Sequence, residues 1–370
     1  MGRLRAQVGL SMKLLAFTKY GSLAASTRQR FEQYEPALAA AGISVDYAPL
    51  FGNDHLERLV AGRRASPIVV IRAYASRLRH LAAAHRYDAL WVHCELFPYW
   101  PGVAERLGAL AGKPIVFDYD DAIFHMYDAS PRRLVRALLG GKLAPLLRSA
   151  GACCCGNEYL RDYAARFCER TMVLPTVVDA DVYRPTAKAA ADGPVVIGWI
   201  GSPSTWANVR PLLPTLRALT ERHRVIVRAV GAGAAAERDR FPGLELVEWS
   251  AASEVAAVQS FDIGIMPLRD LPFERGKCGY KLIQYMACGK PVVASPVGVN
   301  ADIVDEGESG YLVETPEAWR DALARLVGDP ALRERLGEVG RERVVRDYSL
   351  ASQAPRLVEL FRSLDARSQT

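Results

Sequence analysis

Two short stretches of the sequence gather residue types that could do chemistry. The first, FDYDDAIF at residues 117–124, carries Asp118, Asp120 and Asp121 at the end of an apolar run. Alternation along a strand would set Asp118 and Asp120 on one face and Asp121 on the other. The second, GKCGYKLIQYMACGKPVVASPVG at residues 276–298, sets lysines and glycines before an apolar segment. We expect the first stretch to place carboxylates at the rim of a ligand site and the second to form a site for an anion.

Positive charge at the start of a helix is the unusual feature of the second stretch. A helix N-terminus already attracts anions through its free N–H groups and its dipole, so cations are usually found at the other end. Arg275, Lys277 and Lys281 at this end favour a bound di-anion, and the glycines at 276 and 279 would let it approach the backbone. A solvated basic turn is the ordinary alternative.

The helical period makes this prediction more specific. At 100° per residue Lys277, Lys281, Gln284 and Cys288 would form one narrow polar stripe. The apolar residues 282, 283, 286 and 287 would then pack on a sheet. The stripe would face the ligand.

The elements that must position these residues alternate short β-branched runs with longer helical stretches. Such alternation predicts parallel sheets with crossover helices. The predicted strands of the first half are KLLAFT, ISVDYAP, ALWVHC, PIVFDYD, ACCCG and MVLP. Those of the second half are VVIGWIG, HRVIVRAVG, LELVEWS, FDIGIMPL, PVVASPVG and GYLVE.

The chain is therefore expected to form two Rossmann-like, doubly wound α/β domains in tandem. The first spans residues 12–178 and the second 193–349, with a linker near 187–193 and a helix at 350–367 that packs back on the first domain. Residues 1–11 are expected to be a disordered extension. Chemistry is expected in the cleft between the carboxyl ends of the two sheets.

Composition limits the class of protein. The 370 residues carry a net charge of +6. Residues 1–190 hold 25 lysines and arginines against 17 acids, which suits a phosphorylated substrate, an anionic membrane or nucleic acid as well as a plain basic surface. No apolar run is long enough to span a membrane, and the N-terminus does not resemble a signal peptide. The seven cysteines lack metal or disulfide spacing, so we expect buried thiols in a cytoplasmic protein.

The run KLIQYMACGKPVVASPVG resembles the most characteristic segment of the family 4 glycosyltransferases, which have the GT-B fold. Those enzymes carry two glutamates, eight positions apart, before this segment. Here Gln284 stands at the second position and Gly276 at the first. The resemblance implies that Gln284 holds the donor ribose, that Glu274 replaces the first glutamate toward the sugar, and that the lysines hold the diphosphate.

The resemblance extends along nearly the whole chain. VVIGWIGSPST resembles the first strand and phosphate loop of the family's donor domain, although the arginine and lysine usual there are missing. FTKYGSLAASTRQRF resembles the glycine loop of the acceptor domain and offers Arg28 and Arg30 as phosphate or acceptor contacts. The resemblance implies donor contacts from Gly21, Gly201, Ser202, Trp249, Glu274, Arg275, Lys277, Lys281, Gln284, Gly298 and Val299.

The acidic stretch completes the expected site. Relatives have a histidine near it that contacts the donor sugar, and Asp120, Asp121 or His125 could take that task here. We expect Asp120, Asp121 and Lys281 to be catalytic, and Arg28, Glu95 and His125 to contact the acceptor. The other histidines, His93 among them, are expected to pack or face solvent.

The resemblance implies a retaining, metal-independent transferase. It would move a sugar from a UDP- or GDP-linked donor to a glycan or polyprenyl-linked acceptor in cell-surface polysaccharide or glycoconjugate synthesis, without a cofactor and without binding nucleic acid. An anionic membrane surface is a possible further partner. Three alternatives stay open: a silent nucleotide-sugar-binding protein, a GT-B epimerase, and an NAD-linked oxidoreductase. The last would use Gly231, Gly233 and Ala236 as a dinucleotide fingerprint.

Overall fold

The computed structural model describes residues 12–60, 63, 66–186 and 193–365. The chain folds into two compact units. The first holds the residues up to Leu174 and those from Ala354 onward, and the second holds Pro175–Gln353. The predicted extension at 1–11 and most of the predicted linker lie outside the described residues.

Each unit is built on a parallel sheet of six strands, as predicted. The strands of the first unit are β1 Met12–Phe17, β2 Ile43–Tyr47, β3 Ala89–His93, β4 Ile115–Tyr119, β5 Ala152–Cys155 and β6 Thr171–Val173. Those of the second are β7 Val195–Ile200, β8 Val225–Val230, β9 Leu244–Val247, β10 Ile263–Met266, β11 Val292–Ala294 and β12 Gly310–Leu312. All twelve overlap predicted runs. Central strands such as β3, β4 and β10 are buried throughout and read as nearly continuous apolar runs.

The helices cover both faces of each sheet. In the first half they are α1 Ala25–Arg30, α2 Glu35–Ala40, α3 Asn53–Val60, α4 Pro67–Ala82, α5 Gly102–Glu105, α6 His125–Asp128, α7 Arg133–Leu139, α8 Leu143–Arg148 and α9 Glu158–Ala165. In the second half they are α10 Leu213–Arg222, α11 Ala234–Glu237, α12 Glu254–Gln259, α13 Pro272–Arg275, α14 Tyr280–Ala287, α15 Asn300–Ile303, α16 Pro316–Gly328, α17 Pro330–Asp347 and α18 Leu350–Asp365.

The run RQRFEQYEPALAAAG at residues 28–42 is predicted from its sequence as one helical stretch, but the helix is broken there. It holds the end of α1, a 3₁₀ turn at Glu32–Tyr34 and then α2. Pro36 lies in the first turn of α2, where its missing N–H costs nothing but where it cannot continue an earlier helix.

The strand order locates the ligand edge of each sheet. The orders are β2-β1-β3-β4-β5-β6 and β12-β11-β10-β7-β8-β9. The chain reverses direction across the sheet between β1 and β3 in the first unit and between β7 and β10 in the second. In open parallel sheets, ligands bind outside the carboxyl ends of the strands at such reversals.

Two glycines make room for aromatic rings on the second sheet, and one of these rings belongs to α14. Gly198 of β7 and Gly264 of β10 are register partners. A Cβ on Gly198 would lie 2.0 Å from the Phe261 ring, and one on Gly264 would lie 2.2 Å from the Tyr285 ring. The Tyr285 hydroxyl accepts the Ile200 N–H at 3.0 Å, which holds α14 against the end of β7.

The last helix belongs largely to the first unit. Phe361 is fully buried and its ring lies 5.3 Å from that of Trp91. Arg362 donates to the Ala41 carbonyl at 3.1 Å. None of the described helices combines the length and the apolar character needed to cross a membrane.

Candidate functional site

The loop after β7 lies at the reversal point of the second sheet. Gly201 follows Ile200 and is half-buried, whereas Ser202 is exposed. The Ser202 N–H donates to Thr205 Oγ1 at 3.1 Å, and its hydroxyl pairs with that of Ser204 at 2.9 Å. A Cβ on Gly201 would lie 2.5 Å from the Trp199 ring, so only glycine fits here. The turn therefore presents hydroxyls above a buried indole.

Helix α14 begins beside the same indole. Gly279 precedes it with φ +64°, a conformation that glycine adopts readily, and provides no side-chain cap. Lys281, in the first turn, has Nζ 5.9 Å from the centre of the Trp199 ring. Trp199 thus touches the Gly201 turn on one side and approaches the lysine on the other. The structure brings together the two parts of the predicted phosphate site.

The predicted polar stripe on this helix is wrong. Lys277 lies before the helix, because the chain turns at Gly279, and its Nζ lies over the Phe273 ring at 4.9 Å. Gln284 and Cys288 are buried, as is every other residue from 282 to 288. Of the predicted stripe, only Lys281 both lies in the helix and is partly exposed to solvent.

The remaining predicted donor residues of the second unit form a second group. A Cβ on Gly298, whose φ is +56°, would lie 2.5 Å from the Arg275 carbonyl oxygen. A Cβ on Gly279 would lie 3.2 Å from Val299. The turn at 298–299 therefore packs directly on the segment before α14. Arg275 forms an exposed ion pair with Asp270, and Glu274 is buried with Arg269 at 3.9 Å.

Gln284 is held in a buried hydrogen-bond network. Its Nε2 donates to Glu254 at 2.8 Å and to the Tyr183 hydroxyl at 3.0 Å. Glu254 also accepts from the Tyr183 hydroxyl at 2.6 Å and from Trp249 Nε1 at 2.8 Å. The amide nitrogen of Gln284 is therefore committed within the protein, and within the described chain no side chain donates to its oxygen.

In the first unit, the three aspartates of residues 118–121 lie in different environments. Asp118 and Arg30 are 0% and 1% exposed and form a two-pronged pair, with Nε–Oδ1 at 2.7 Å and Nη2–Oδ2 at 3.1 Å. Arg30 also donates to the Leu174 carbonyl at 2.7 Å. The sequence-based placement of Asp118 on the rim and of Arg30 toward a ligand is wrong, because both are buried on each other.

Asp120 instead pairs with a histidine at the carboxyl end of β3. His93 Nε2 lies 2.8 Å from Asp120 Oδ1, and the Cys94 thiol lies 3.5 Å from the same oxygen. Burial alone would raise the pKa of Asp120, but the His93 imidazole outweighs it and holds that pKa below its usual range. Burial would lower the pKa of His93, but Asp120 raises it. The two form a hydrogen-bonded pair in which each side chain favours the charged form of the other.

The same three residues are of types that can bind a metal ion. His93, Cys94 and Asp120 offer ligand atoms that all lie within 4.8 Å of one another. The 2.8 Å between Nε2 and Oδ1 is a hydrogen-bond distance, so these two atoms share a proton. Cys94 has φ +61°, and within the described residues His93 Nδ1 is buried without a partner. Backbone strain and an unpaired polar atom are common at functional sites.

The other predicted residues of the first unit are engaged within it. Gly21 packs against Asn53, and Arg28 donates to the Leu23 carbonyl at 2.8 Å. Glu95 is buried between Lys142, at 2.7 Å, and the Tyr127 hydroxyl. That network gives Glu95 a structural task, and its contact with an acceptor stays a prediction. Asp121 is half-buried two residues beyond the end of β4.

His125 is half-buried, with its ring between Asp128 and Tyr159 at 2.8 and 2.7 Å. The predicted buried thiols are confirmed: Cys153, Cys154 and Cys155 lie in β5, and all seven cysteines are buried and outside any disulfide.

The dinucleotide alternative is not supported by the local structure. Gly233 has φ +59° and is followed by α11, which is only four residues long. A Cβ on Gly231 would lie 2.3 Å from the Gly201 carbonyl oxygen, so this glycine serves close packing of two turns. A dinucleotide fingerprint requires a long helix to begin here.

Three residues of this arrangement were missed from the sequence. His93 could have been found, because its strand ends beside the one that leads to Asp120 and parallel neighbours end at the same edge. Glu254 and Tyr183 carry no such signal. An acid in the first turn of a helix is ordinary, and Tyr183 lies in an irregular segment.

Comparisons of sequence with known proteins match mainly the second unit. Residues 194–329 match the family model described as "Glycosyl transferases group 1". A D-inositol 3-phosphate glycosyltransferase from Corynebacterium urealyticum is 32% identical over 189 residues, which is 46% of this chain and 43% of that protein. An alpha-maltose-1-phosphate synthase from Mycolicibacterium smegmatis is 36% identical over 92 residues, which is 23% of this chain and 24% of that protein.

Solved structures match nearly the whole chain. Sucrose-phosphate synthase from Thermosynechococcus elongatus has a TM-score of 0.73 and 19% identity, covering 96% of this chain and all 100% of its own. The Anabaena HepE structure in complex with UDP and glucose has a TM-score of 0.70 and 16% identity, covering 95% and 100%. At these identities the likeness shows the fold, which is GT-B.

The second unit thus matches the group 1 glycosyl transferases over residues 194–329, and the GT-B fold extends through nearly the whole chain, as the sequence resemblance predicted. The chain aligns with less than half of the length of the first curated relatives that it matches.

Proposed function

We propose that the protein transfers a sugar from a nucleotide-diphosphate donor, UDP- or GDP-linked, to a hydroxyl of a glycan or lipid-linked acceptor. The observation that carries this proposal is the meeting of Lys281 and the Gly201 turn on the Trp199 ring. The solved relative HepE was crystallised with UDP-glucose, which supports a nucleotide-sugar donor here.

The position of Lys281 at the start of α14 suits the charge that develops on the leaving group. In the transfer, the acceptor oxygen bonds to the anomeric carbon, the bond from that carbon to the diphosphate oxygen breaks, and the hydroxyl proton is released. The leaving diphosphate gains negative charge. A fixed ammonium and the N–H groups of a helix start stabilise that charge without a metal ion.

Asp120 and Asp121 of the first unit are the acidic groups that we propose for the reaction. Asp120 is held by His93 at 2.8 Å, so its carboxylate has a fixed orientation and can accept a hydrogen bond from a sugar hydroxyl. Asp121 beside it is the candidate to take up the acceptor proton. Retention of configuration, metal independence and a role in cell-surface polysaccharide or glycoconjugate synthesis are parts of this proposal.

The test begins with nucleotide binding. A thermal-shift screen with UDP, GDP, ADP and CMP and their sugars should select one nucleotide, followed by release of labelled sugar to water or acceptor. Lys281→Met should lower turnover by about 100-fold or more, the size of a lost preorganised charge contact. Lys290→Met, beyond the other end of α14, is the matched control and should stay within a few-fold of the wild type. Wild-type-like turnover in Lys281→Met would refute the assignment.

A silent nucleotide-sugar-binding protein is the second candidate. It is favoured by Gly276, which stands where the resemblance expects a carboxylate toward the sugar. Calorimetry and sugar release separate the two: a silent protein binds the nucleotide sugar with no release, even after a range of acceptor classes is offered.

An anionic membrane surface is proposed as the partner of the first unit. Residues 58–87 and 129–157 contain no aspartate or glutamate. Eleven of the fifteen exposed large hydrophobic side chains of the described residues lie between Leu59 and Leu138. Apolar residues among uncompensated arginines suit the boundary of an anionic bilayer.

The exposed apolar side chains of this surface lie on elements that touch one another. On α4, Ile68 and Ile71 are 60% and 68% exposed, and Tyr74 of the same helix stacks on Trp100 at 5.1 Å. The Tyr99 N–H donates to the hydroxyl of Tyr127, which belongs to α6, and α7 follows directly. Helix α7 exposes two leucines, at 134 and 138, together with arginines at 133 and 136.

Flotation with vesicles tests this partner. Binding should rise with phosphatidylglycerol content and fall with salt. Burying one such side chain is worth about 1.5–3 kcal/mol, so Ile71→Ser/Leu134→Ser should partition at least tenfold less. The control Val182→Ser/Val345→Ser removes two exposed apolar side chains from the second unit and should change nothing. If vesicle binding does not depend on lipid charge and is the same in Ile71→Ser/Leu134→Ser as in the wild type, this surface does not bind the membrane.

A further inference from the structure

Glu254 ties together three separate segments of the second unit. It is the first residue of α12 and is only 8% exposed. Its Oε1 accepts from the Tyr183 hydroxyl and from Gln284 Nε2, and its Oε2 accepts from Trp249 Nε1. Burial and the Glu254 carboxylate raise the pKa of Tyr183, so the phenol stays protonated and donates. One buried carboxylate therefore sets the orientation of three side chains.

Two of these side chains border the proposed donor site. Trp249 lies just beyond the carboxyl end of β9, and a Cβ on Gly231 would lie 3.1 Å from Trp249 Cβ and 2.3 Å from the Gly201 carbonyl oxygen. The indole therefore neighbours the phosphate turn. Gln284 lies on α14, one turn after Lys281. The Glu254 carboxylate therefore holds Trp249 beside the Gly201 turn and Gln284 beside Lys281.

The geometry limits what each side chain can offer a nucleotide. Trp249 is half-buried with its N–H bonded to Glu254, so the ring is held at a set angle and an aromatic face can stack on a base. Gln284 spends its nitrogen on Glu254 and Tyr183, which orients its carbonyl oxygen as an acceptor for a ribose hydroxyl.

We propose that Glu254 is a positioning residue of the donor site, which presets Trp249 for the base and Gln284 for the ribose. The proposal rests on the proposed function, since it assumes a nucleotide donor. It also explains why position 284 holds an amide: a glutamate there would put two carboxylates within 2.8 Å of each other in a buried site.

The pairing of donors and acceptors yields a test by exchange. In Glu254→Gln, the new amide can accept from Trp249 and still bond to position 284 only if the Gln284 amide flips, which turns its nitrogen instead of its oxygen toward the ribose. In Gln284→Glu, two carboxylates repel. In the double variant Glu254→Gln/Gln284→Glu, the new amide donates from its nitrogen to Glu at 284 and accepts the Trp249 N–H on its oxygen. The Tyr183 hydroxyl then donates to the carboxylate at 284, and every contact is restored.

Calorimetry with the nucleotide selected by the screen measures the effect. Each single variant should bind it at least about tenfold more weakly, the size of a misplaced base–aromatic stack, and the double variant should recover most of that loss. The control Glu245→Gln removes an exposed carboxylate of β9 that pairs with Arg228, and should bind as the wild type does.

Thermal unfolding without nucleotide separates positioning from folding. A positioning role predicts that KM rises and kcat changes less, and that the affinity lost exceeds any effect of the lower melting point. The inference is overturned if Glu254→Gln binds nucleotide as the wild type does, or if the double variant is no better than the single ones. If the wild type itself binds no nucleotide, it is the proposed function that fails.

Discussion

Removing the Asp118 carboxylate should destabilise the first unit strongly. The Arg30 guanidinium is 1% exposed and makes two hydrogen bonds to Asp118 and one to Leu174. Arginine cannot lose its proton in a protein, so Asp118→Ala leaves a full charge buried beside a vacated site. Breaking such a pair costs about 3–5 kcal/mol. For a unit of this size, that corresponds to a fall in melting temperature of roughly 10 °C.

The assay compares this pair with an exposed one in the same unit. Lys13 and Asp46 are 3.1 Å apart with side chains 49% and 48% exposed, and Asp46→Ala should cost no more than about 1 kcal/mol. Urea unfolding, with amide exchange of β4 as a local probe, measures both. Replacing the pair together, as Arg30→Met/Asp118→Leu, should recover most of the loss. If Asp118→Ala and Asp46→Ala destabilise equally, the buried pair is not what holds this region.

Three further predictions concern the sites themselves. Asp120 raises the pKa of His93 above its ordinary 6.5 against the effect of burial, so the stability that this pair contributes is present below that pH and is lost as pH rises through the raised value. His93→Gln should abolish that alkaline loss in urea unfolding; an unchanged profile would contradict the pairing. Gly298→Ala should cost at least about 1 kcal/mol and weaken nucleotide binding, because its φ is +56° and its Cβ would meet the Arg275 carbonyl at 2.5 Å. The control Gly307→Ala has the same kind of φ but open space, so it should lose stability alone. Treatment with a chelator should leave sugar transfer unchanged, and a loss that zinc restores would instead make His93, Cys94 and Asp120 a metal site.

The two sheets could be predicted because most of their strands are recognisable as short apolar runs between turn residues. A parallel strand is covered by helices on both faces, so runs such as VVIGWI and ACCC are apolar throughout and end at turn residues. Helices were less predictable. The break between α1 and α2 depends on Pro36, and the start of α14 depends on the left-handed conformation of Gly279. Because of that turn, Lys277 left the predicted stripe.

The site was predictable only in part. The proximity of Lys281 and the Gly201 turn could be expected, because a helix start and a strand end are local features that recur in a known family. The interior of the site was not. Gln284 looks like a ligand contact in sequence, but its nitrogen is spent on Glu254, thirty residues away in the chain. Nothing local to either residue indicates that they meet.

The sequence by itself determined the two parallel sheets, the order of their strands along the chain, and the positive charge before α14. These follow from local periodicity and from residue types that act within a few positions. Only the tertiary structure decided which of three neighbouring aspartates is structural. Asp118 and Asp120 look alike in the sequence, yet Arg30 buries the first and His93 holds the second at the strand end. The physical reason is that the task of a charge depends on its partner and its solvent, and both come from distant parts of the chain.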